Sequence, residues 1–154
     1  MSGPAVGDQA PDFTLPGTSP DGVRDYSLAA ERGHPLVLAF YPGDETPVCT
    51  RQLCSYQDEF SVLTDVGATL WGISTQGMAS HEKFAAHRGL SFPLLADVGG
   101  TVTELYGVKS VLGTRRSVFV VDADGRVSWR HVSLLGLTYQ GARTIARAVQ
   151  AATG

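Results

Sequence analysis

The stretch that decides the fold is "PLVLAFYPGDETPVCTRQLCSY", residues 35–56. Its first seven residues, Pro35 to Tyr41, form a continuous apolar run, which predicts a strand buried on both faces of a sheet. Thr46 and Pro47 then mark a helix start, because Thr can cap free amide groups and Pro fits the first helical position. A buried strand that leads directly into a helix is typical of an α/β protein.

Further strands and helices alternate beyond this stretch, which predicts one central sheet flanked by helices. Two more apolar runs predict strands, and Asp124-Gly125 predicts the turn of a hairpin. The predicted strands are Ala68–Ser74, Ser117–Asp122 and Val127–Val132. The predicted helices are Cys49–Thr64, Met78–Arg88, Thr101–Tyr106 and one from about Gln140, whose apolar stripe is Ala142, Ile145, Ala146 and Val149.

The two ends of the segment at residues 12–28 also read as strands. "DFTLP" and "VRDYSL" predict an N-terminal β-hairpin outside the main sheet, although Pro16 and Pro20 are unfavourable in strands.

Composition limits the possible functions. The chain has 154 residues, so one domain over residues 1–154 is expected. A net charge of -3 with 18% charged residues indicates neither nucleic acid nor an anionic membrane as partner. With no basic segment followed by an apolar run at the N-terminus, we expect a cytoplasmic location. In a reducing compartment a closely spaced cysteine pair is catalytic, redox-sensing or metal-binding rather than a structural disulfide.

Both cysteines of the chain lie on the predicted helix. Cys49 would be its third residue, where the positive end of the helix dipole favours the thiolate. Cys49 also shares an inward stripe with Leu53 and Tyr56, whereas Cys54 falls on a more polar face. Cys49 is therefore the better nucleophile of the two.

The spacing of the cysteines has a geometric consequence. Helical residues five apart have Cα atoms roughly 8.7 Å apart, beyond the ~6.8 Å limit for an unstrained disulfide. Joining Cys49 to Cys54 therefore requires the helix to unwind, which indicates a switchable pair. Two cysteines on one helix are also common as small apolar residues, and the capped, dipole-facing position of Cys49 favours the chemical interpretation.

Pro42, Thr46 and Cys49 stand in the spacing P-x-x-x-T-x-x-C, which resembles the active-site signature of peroxiredoxins. A second cysteine five residues on resembles the peroxiredoxin Q subgroup, also called bacterioferritin comigratory protein. The likeness extends over most of the chain, through "VGDQAPDFTLPG", "FPLLAD" with "YGV", and "RSVFVVDADG".

This resemblance implies a thioredoxin-like fold with a central mixed β-sheet, and hydrogen peroxide or organic hydroperoxides as substrates. It implies that Cys49 is the peroxidatic cysteine and Cys54 the resolving one, joined in an intramolecular disulfide that thioredoxin or a similar dithiol reduces. No metal or organic cofactor is implied, and the expected state is a monomer or weak homodimer.

By the same resemblance, Arg116 holds the thiolate and the peroxide, Thr46 places a hydroxyl beside them, and Pro42 shapes the loop. Arginine suits this role because it is always charged and donates several hydrogen bonds in a fixed fork. Neighbours in a strand point to opposite faces, so only one of Arg115 and Arg116 reaches the pocket. Gln52 departs from the subgroup, in which Glu is common, as does Val48, where Gly is usual.

Other interpretations remain open at this point. Of the four histidines, His34, His81, His87 and His131, none lies in the segment of Cys49, and the dipole with Arg116 makes a histidine base unnecessary. A zinc site would need about four suitably spaced ligands. A thiol-disulfide oxidoreductase would carry C-x-x-C, and a non-enzymatic redox sensor would use the same oxidation to change a binding surface.

Overall fold

The computed structural model describes residues 3–111, 113–133 and 139–153, and its strands and helices alternate as expected. The strands are β1 Thr14–Ser19, β2 Gly22–Ser27, β3 Leu36–Phe40, β4 Thr69–Ser74, β5 Leu94–Ala96, β6 Lys109–Ser110, β7 Gly113–Thr114, β8 Ser117–Val121 and β9 Val127–Val132. The α-helices are α1 Pro47–Asp58, α2 Phe60–Thr64, α3 Met78–Arg88, α4 Thr101–Leu105 and α5 Ala142–Thr153.

One mixed sheet organises these elements, with strand order β2-β1-β5-β4-β3-β8-β9. Its inner strand β3 is parallel to β4 and antiparallel to β8, and all five residues of β3 are buried. The continuous apolar runs correctly predicted these strands, because a strand covered on both faces has no polar side to alternate with. The short strands β6 and β7 pair with each other in a separate hairpin.

The N-terminal hairpin is present, but the expectation that it lies outside the main sheet is wrong. Strand β1 pairs with β2 on one side and antiparallel with β5 on the other, with Gly17 opposite Leu95. Glycine is required there, since a Cβ at Gly17 would lie 2.8 Å from the ring of Tyr26. The hairpin thus extends the main sheet at the edge of β5.

The core lies on both faces of the sheet, as the alternation of side chains along β3 requires. Val37 and Ala39 face α1 and α5, and Leu36, Leu38 and Phe40 face the opposite cluster. The predicted stripe of α5 is confirmed, because its members are all buried: Ala142, Ile145, Ala146 and Val149.

The predicted helix from Cys49 to Thr64 is two helices. At Glu59 the backbone leaves helical values, with φ -109° and ψ 27°, so that α1 ends at Asp58 and α2 begins at Phe60. The change of direction lets Phe60 stack on Phe92, with ring centroids 6.2 Å apart. The bounds of α3, Met78–Arg88, are those predicted.

The segment before β1 runs beside the start of β9. The amide of Gly7 donates to the carbonyl of Val127 at 2.7 Å, and the amide of Val127 donates to the carbonyl of Asp8 at 2.9 Å. Further along, the Arg130 guanidinium donates to the carbonyl of Pro4 at 2.6 Å. These contacts cover backbone groups of β9 that face away from β8. Within the described ranges, every helix is too short or too polar to span a bilayer.

Candidate active site

Cys49 occupies the expected place in the first turn of α1. The helix starts at Pro47 with Thr46 as its N-cap residue, so Cys49 is the third helical residue. Its side chain is fully buried, as are those of Leu53 and Tyr56 on the same stripe. The thiol therefore lies at the positive end of the helix dipole and out of bulk water, where the interaction with that dipole is least screened.

The hydroxyl of Thr46 does not cap the helix, which corrects the expected capping bond. It donates instead to the carbonyl of Gly43 at 2.9 Å, while the carbonyl of Thr46 accepts from the amide of Thr50 at 2.8 Å. Helix geometry leaves the amides of Val48 and Cys49 without intrahelical acceptors. These amides are thus available to a ligand beside Cys49.

Cys54 lies on the other side of the same helix. It is half-buried, as are its neighbours Thr50 and Gln57 on that face, and both thiols are free. The prediction that one thiol points inward and the other outward is confirmed. Because α1 is continuous from Pro47 to Asp58, joining the cysteines requires part of it to unwind.

Arg116 immediately precedes β8 and points inward, with 4% of its surface exposed, whereas Arg115 is exposed. The Nη1 atom of Arg116 donates to Oε1 of Gln52 at 2.6 Å. Gln52 is three residues beyond Cys49, so it lies one turn along the same side of α1. The guanidinium is thereby held along the face of the helix that carries the buried thiol.

Gln52 joins Arg116 to a chain of neutral hydrogen bonds. Its Nε2 donates to the hydroxyl of Tyr56 at 3.0 Å, and that hydroxyl donates to the carbonyl of Gln140 at 2.8 Å. Burial raises the pKa of Tyr56, so the phenol remains a donor. A glutamine suits this chain because its amide accepts from Arg116 and donates to Tyr56 at once. A carboxylate would offset the charge of Arg116 and could not donate.

The loop before α1 contains Pro42, which is exposed, and Asp44, which is buried. The Asp44 carboxylate accepts hydrogen bonds from the Tyr41 hydroxyl, from Ser80 Oγ and from His81 Nδ1, each at 2.7 Å. Its backbone amide donates to the side chain of Gln76. The loop is therefore fastened to β3 and to the start of α3.

His81 has an oxygen facing each ring nitrogen. Nδ1 faces Asp44, and Nε2 lies 3.0 Å from the carbonyl of Leu95 in β5. Both oxygens can accept a hydrogen bond from the ring, so a ring that carries both protons makes both bonds and forms a buried ion pair with the Asp44 carboxylate. Burial alone would raise the pKa of Asp44, but the hydrogen bonds from His81, Ser80 and Tyr41 outweigh it and lower that pKa.

Sequence reasoning set His81 aside because it lies outside the segment of Cys49. The structure gives no contact between His81 and the thiol, but it places His81 against Asp44 in the loop that precedes Cys49. The available signal was its position three residues before Phe84, which places His81 on the buried face of α3. A charged side chain on a buried helix face needs a partner, and Asp44 is that partner.

Glu45 attaches the same loop to the end of α3 at the protein surface. Its carboxylate lies 2.9 Å from His87 Nδ1 and 3.2 Å from Arg88 Nη2 at the end of α3. The hydrogen bond from His87 is the main cause that lowers the pKa of Glu45. In the described part of the chain, Glu45 is the one residue other than glycine with positive φ, at 61°, a conformation that is sterically unfavourable for a side chain.

A thioredoxin-like sheet in which an inner strand leads to a buried thiol at a helix start, with a buried guanidinium bound one helical turn further on, defines a class of thiol-dependent redox enzymes. Comparisons with known proteins narrow this class. The sequence profile of the AhpC/TSA family matches residues 6–130. The chain is 37% identical over 141 residues to a putative peroxiredoxin bcp of Coxiella burnetii, covering 85% of this chain and 91% of that protein.

It is also 41% identical over 126 residues to a putative chloroplastic peroxiredoxin Q of Oryza sativa subsp. indica, covering 80% of this chain but 57% of that longer protein. Among solved structures, peroxidoxin BcpB from Mycobacterium tuberculosis matches with a TM-score of 0.84 and 31% identity, covering 96% of this chain and 97% of that one.

The chain therefore belongs to the AhpC/TSA family. Its relatives of the Q and bcp type identify it as a peroxiredoxin, a thiol-dependent peroxidase that reduces peroxides with electrons from a thiol reductant. The resemblance based on Pro42, Thr46 and the two cysteines, and the thioredoxin-like fold that it implied, are confirmed.

Proposed function

We propose that Cys49 is the peroxidatic cysteine and that Cys54 resolves its oxidised form. The observation that carries this proposal is the placement of Cys49: it is buried in the first turn of α1, one turn from the residue that holds Arg116. Cys54 lacks both features, since it lies further along the helix and on its half-buried face.

In the first step the Cys49 thiolate attacks one oxygen of the hydroperoxide. A sulfur–oxygen bond forms, the oxygen–oxygen bond breaks, and the leaving oxygen takes up a proton to depart as water or an alcohol. Arg116, bound to Gln52 one turn beyond Cys49, and the amides of the first turn of α1 stabilise the negative charge that moves from sulfur to the leaving oxygen. They do so without a metal or an organic cofactor.

Thr46 and Pro42 complete the proposed site. Because the Thr46 hydroxyl donates its hydrogen bond to the carbonyl of Gly43, its oxygen lone pairs are left to accept a hydrogen bond from the hydroperoxide O–H. This orients the peroxide for attack in line with its oxygen–oxygen bond. Pro42, exposed at the loop surface, fixes the backbone of the loop before Cys49 through its restricted φ.

In the second step the Cys54 thiolate attacks the Cys49 sulfenic acid, so that a disulfide forms and water leaves. Gln52 lies between the two cysteines, and its buried hydrogen bonds to Arg116 and Tyr56 belong to the intact helix. Unwinding α1 must break these bonds. A dithiol then reduces the disulfide, and we propose thioredoxin or a similar protein as its source.

A cytoplasmic location and a monomeric or weakly dimeric state are also proposals. The first rests on the closely spaced cysteine pair, which serves redox chemistry rather than a structural disulfide in a reducing compartment. Ultracentrifugation of the reduced and oxidised protein would test the second.

The cysteine roles are tested by measuring the intact mass of the reduced protein before and after one equivalent of hydrogen peroxide. The expected result is a loss of about 2 Da, which corresponds to an internal disulfide. The Cys54→Ser variant should instead gain about 16 Da, as a sulfenic acid on Cys49. Cys49→Ser, the matched control, should show neither change and should not turn over peroxide.

Retained turnover in Cys49→Ser would refute the assignment of Cys49. An unmodified Cys49 in peroxide-treated Cys54→Ser would have the same meaning. If the wild-type protein removes one equivalent of peroxide and then stops in the presence of thioredoxin and its reductase, thioredoxin is not the donor.

A further inference from the structure

The loop residues 43–46 carry the first turn of α1, and they are held by contacts outside the helix. Asp44 is fastened at its backbone by Gln76 and at its carboxylate by Tyr41, Ser80 and His81. These partners come from the end of β3 and from the segment at residues 76–81. The reactive segment is thus attached to the part of the sheet formed by β3, β4 and β5.

The attachment between Asp44 and His81 is charged on both sides and buried. The side chains of His81 and Asp44 are 0% and 1% exposed, and the ring binds the carbonyl of Leu95 at its other nitrogen. If the loop moved away, an imidazolium would be left in a buried site without its counterion, which is strongly unfavourable. Asp44 is therefore the point of the loop that is hardest to displace.

Movement at Asp44 would be transmitted directly to the start of the helix. Gly43, next to Asp44, accepts the hydroxyl of Thr46, and the carbonyl of Thr46 accepts the amide of Thr50. Residues 43–46 and the first turn of α1 are therefore linked by consecutive hydrogen bonds, and Cys49 lies within that turn.

We propose that His81, acting through Asp44, is a positioning residue that holds the first turn of α1 in the arrangement in which Cys49 reacts with peroxide. This proposal rests on the assignment of Cys49 as the peroxidatic cysteine. It also assigns the unwinding that leads to the disulfide to the helix beyond Cys49, because the loop before Cys49 stays anchored.

Three variants of His81 separate positioning from general structural support. In His81→Asn the amide Nδ2 takes the place of ring Nδ1 and still donates to Asp44, but the bond to Leu95 is lost. In His81→Gln the amide reaches the place of Nε2 and the carbonyl of Leu95, but the donor to Asp44 is lost. His81→Ala removes both bonds.

The measurement is the second-order rate constant for sulfenic acid formation on Cys49 in single-turnover reactions with hydrogen peroxide, with Cys54→Ser in the background. His81→Ala and His81→Gln should react at least about tenfold more slowly, because a small misplacement of reacting groups has effects of this size. His81→Asn should restore most of the lost rate. With Cys54 present, the rate of disulfide formation should be unchanged or higher in all three.

The thermal midpoint of each variant is measured alongside. If the peroxide rates follow the order of the thermal midpoints, with His81→Asn no faster than His81→Gln, His81 is structural and the proposal is overturned. A wild-type rate in His81→Gln overturns it as well. Should the His81 variants not fold, Ser80→Ala removes one hydrogen bond to Asp44 without touching the ion pair, and an unchanged peroxide rate there overturns the proposal.

These outcomes are distinct from failure of the proposed function. If Cys49 is not the peroxidatic cysteine, the protein with the Cys54→Ser change alone forms no sulfenic acid at Cys49. If only the role of His81 is wrong, that protein reacts normally and the His81 variants fail to differ as described.

Discussion

The chain is held in two different ways on the two sides of Cys49. Before it, the loop of residues 42–46 is anchored by a buried ion pair between Asp44 and His81. After it, α1 is anchored by Gln52, whose neutral amide accepts a hydrogen bond from the charged Arg116 and donates one to Tyr56. Breaking a buried ion pair by removing one partner costs more than losing hydrogen bonds from a neutral side chain, even where one of them joins a charged group. The helix after Cys49 is thus the side that can release.

This difference matches what the proposed chemistry requires. Reaction with peroxide needs Thr46 and the amides of α1 in fixed positions, whereas resolution needs Cys54 to approach Cys49. A firm attachment on one side and a weaker one on the other allows a single helix to serve both steps. The comparison can be tested by weakening each side separately.

The largest effect is expected from His81→Ala. It leaves the Asp44 carboxylate buried without its counterion, and such changes cost about 3–5 kcal/mol. Urea unfolding of the reduced protein measures this loss. If His81→Ala lowers the free energy of unfolding by less than Gln52→Ala does, the loop before Cys49 is not the more firmly held side.

Gln52→Ala should have an intermediate effect. It deprives buried Arg116 and Tyr56 of a partner, at a cost of about 1–3 kcal/mol, and it should speed disulfide formation after a peroxide pulse because unwinding has fewer bonds to break. Stopped-flow fluorescence of the tryptophans follows that step. Tyr56→Phe is the matched control, since it removes the hydroxyl that accepts from Gln52 and donates to the Gln140 carbonyl but leaves the bond between Gln52 and Arg116. Slower disulfide formation in Gln52→Ala would contradict this account.

Acid should reduce the stability that Asp44 contributes to the loop of residues 42–46, by a smaller amount than the two substitutions. The pKa of Asp44 lies below its ordinary value of 3.8, so its contribution to stability is present above that pH and is lost as the pH falls through the lowered pKa. The reference is the double variant Asp44→Asn, His81→Asn, in which neutral amides replace both ions. The excess stability of the wild type over this variant should shrink below about pH 4, and an excess that grows there would contradict the lowered pKa.

The smallest effect is expected at Glu45, whose ion pairs with His87 and Arg88 are at the surface. Glu45→Gln removes the charge and keeps the positive φ of 61°. Glu45→Gly removes the charge too, but glycine adopts that φ without steric cost. Glu45→Gly should therefore have the higher thermal midpoint of the two, and the opposite order would show that the backbone at Glu45 is not strained.

The sequence predicted the elements whose signals are local. The run at Pro35–Tyr41 predicted strand β3 to within one residue at each end, and the Thr46-Pro47 pair placed Cys49 at the third helical position. The strand β5 was missed because three residues after Pro93 are too few to show a pattern. The hairpin of β1 and β2 was predicted, but its place in the sheet depends on β5 and could not be.

For the site as well, features with a local signal could be predicted from the sequence and features that join distant residues could not. Helix geometry predicted that Cys49 is the better nucleophile and that the two cysteines form a switchable pair. The resolving role of Cys54 and the choice of Arg116 came from the family resemblance, with the alternation of strand side chains separating Arg116 from Arg115. The pair of Asp44 and His81 was missed because its members are 37 residues apart and meet only through the packing of α3 on the sheet. The structure also changed the partner of Thr46 from the helix to Gly43, since a hydroxyl can rotate toward either.

The contacts between the segment before β1 and strand β9 have a consequence for handling the protein. An open strand edge offers unpaired amides and carbonyls to a neighbouring molecule, and residues 4–10 occupy part of that edge through Pro4, Gly7 and Asp8. Removing them would leave a surface on which a second molecule could add a strand. A version lacking residues 1–10 should therefore self-associate more readily, which static light scattering against concentration would detect.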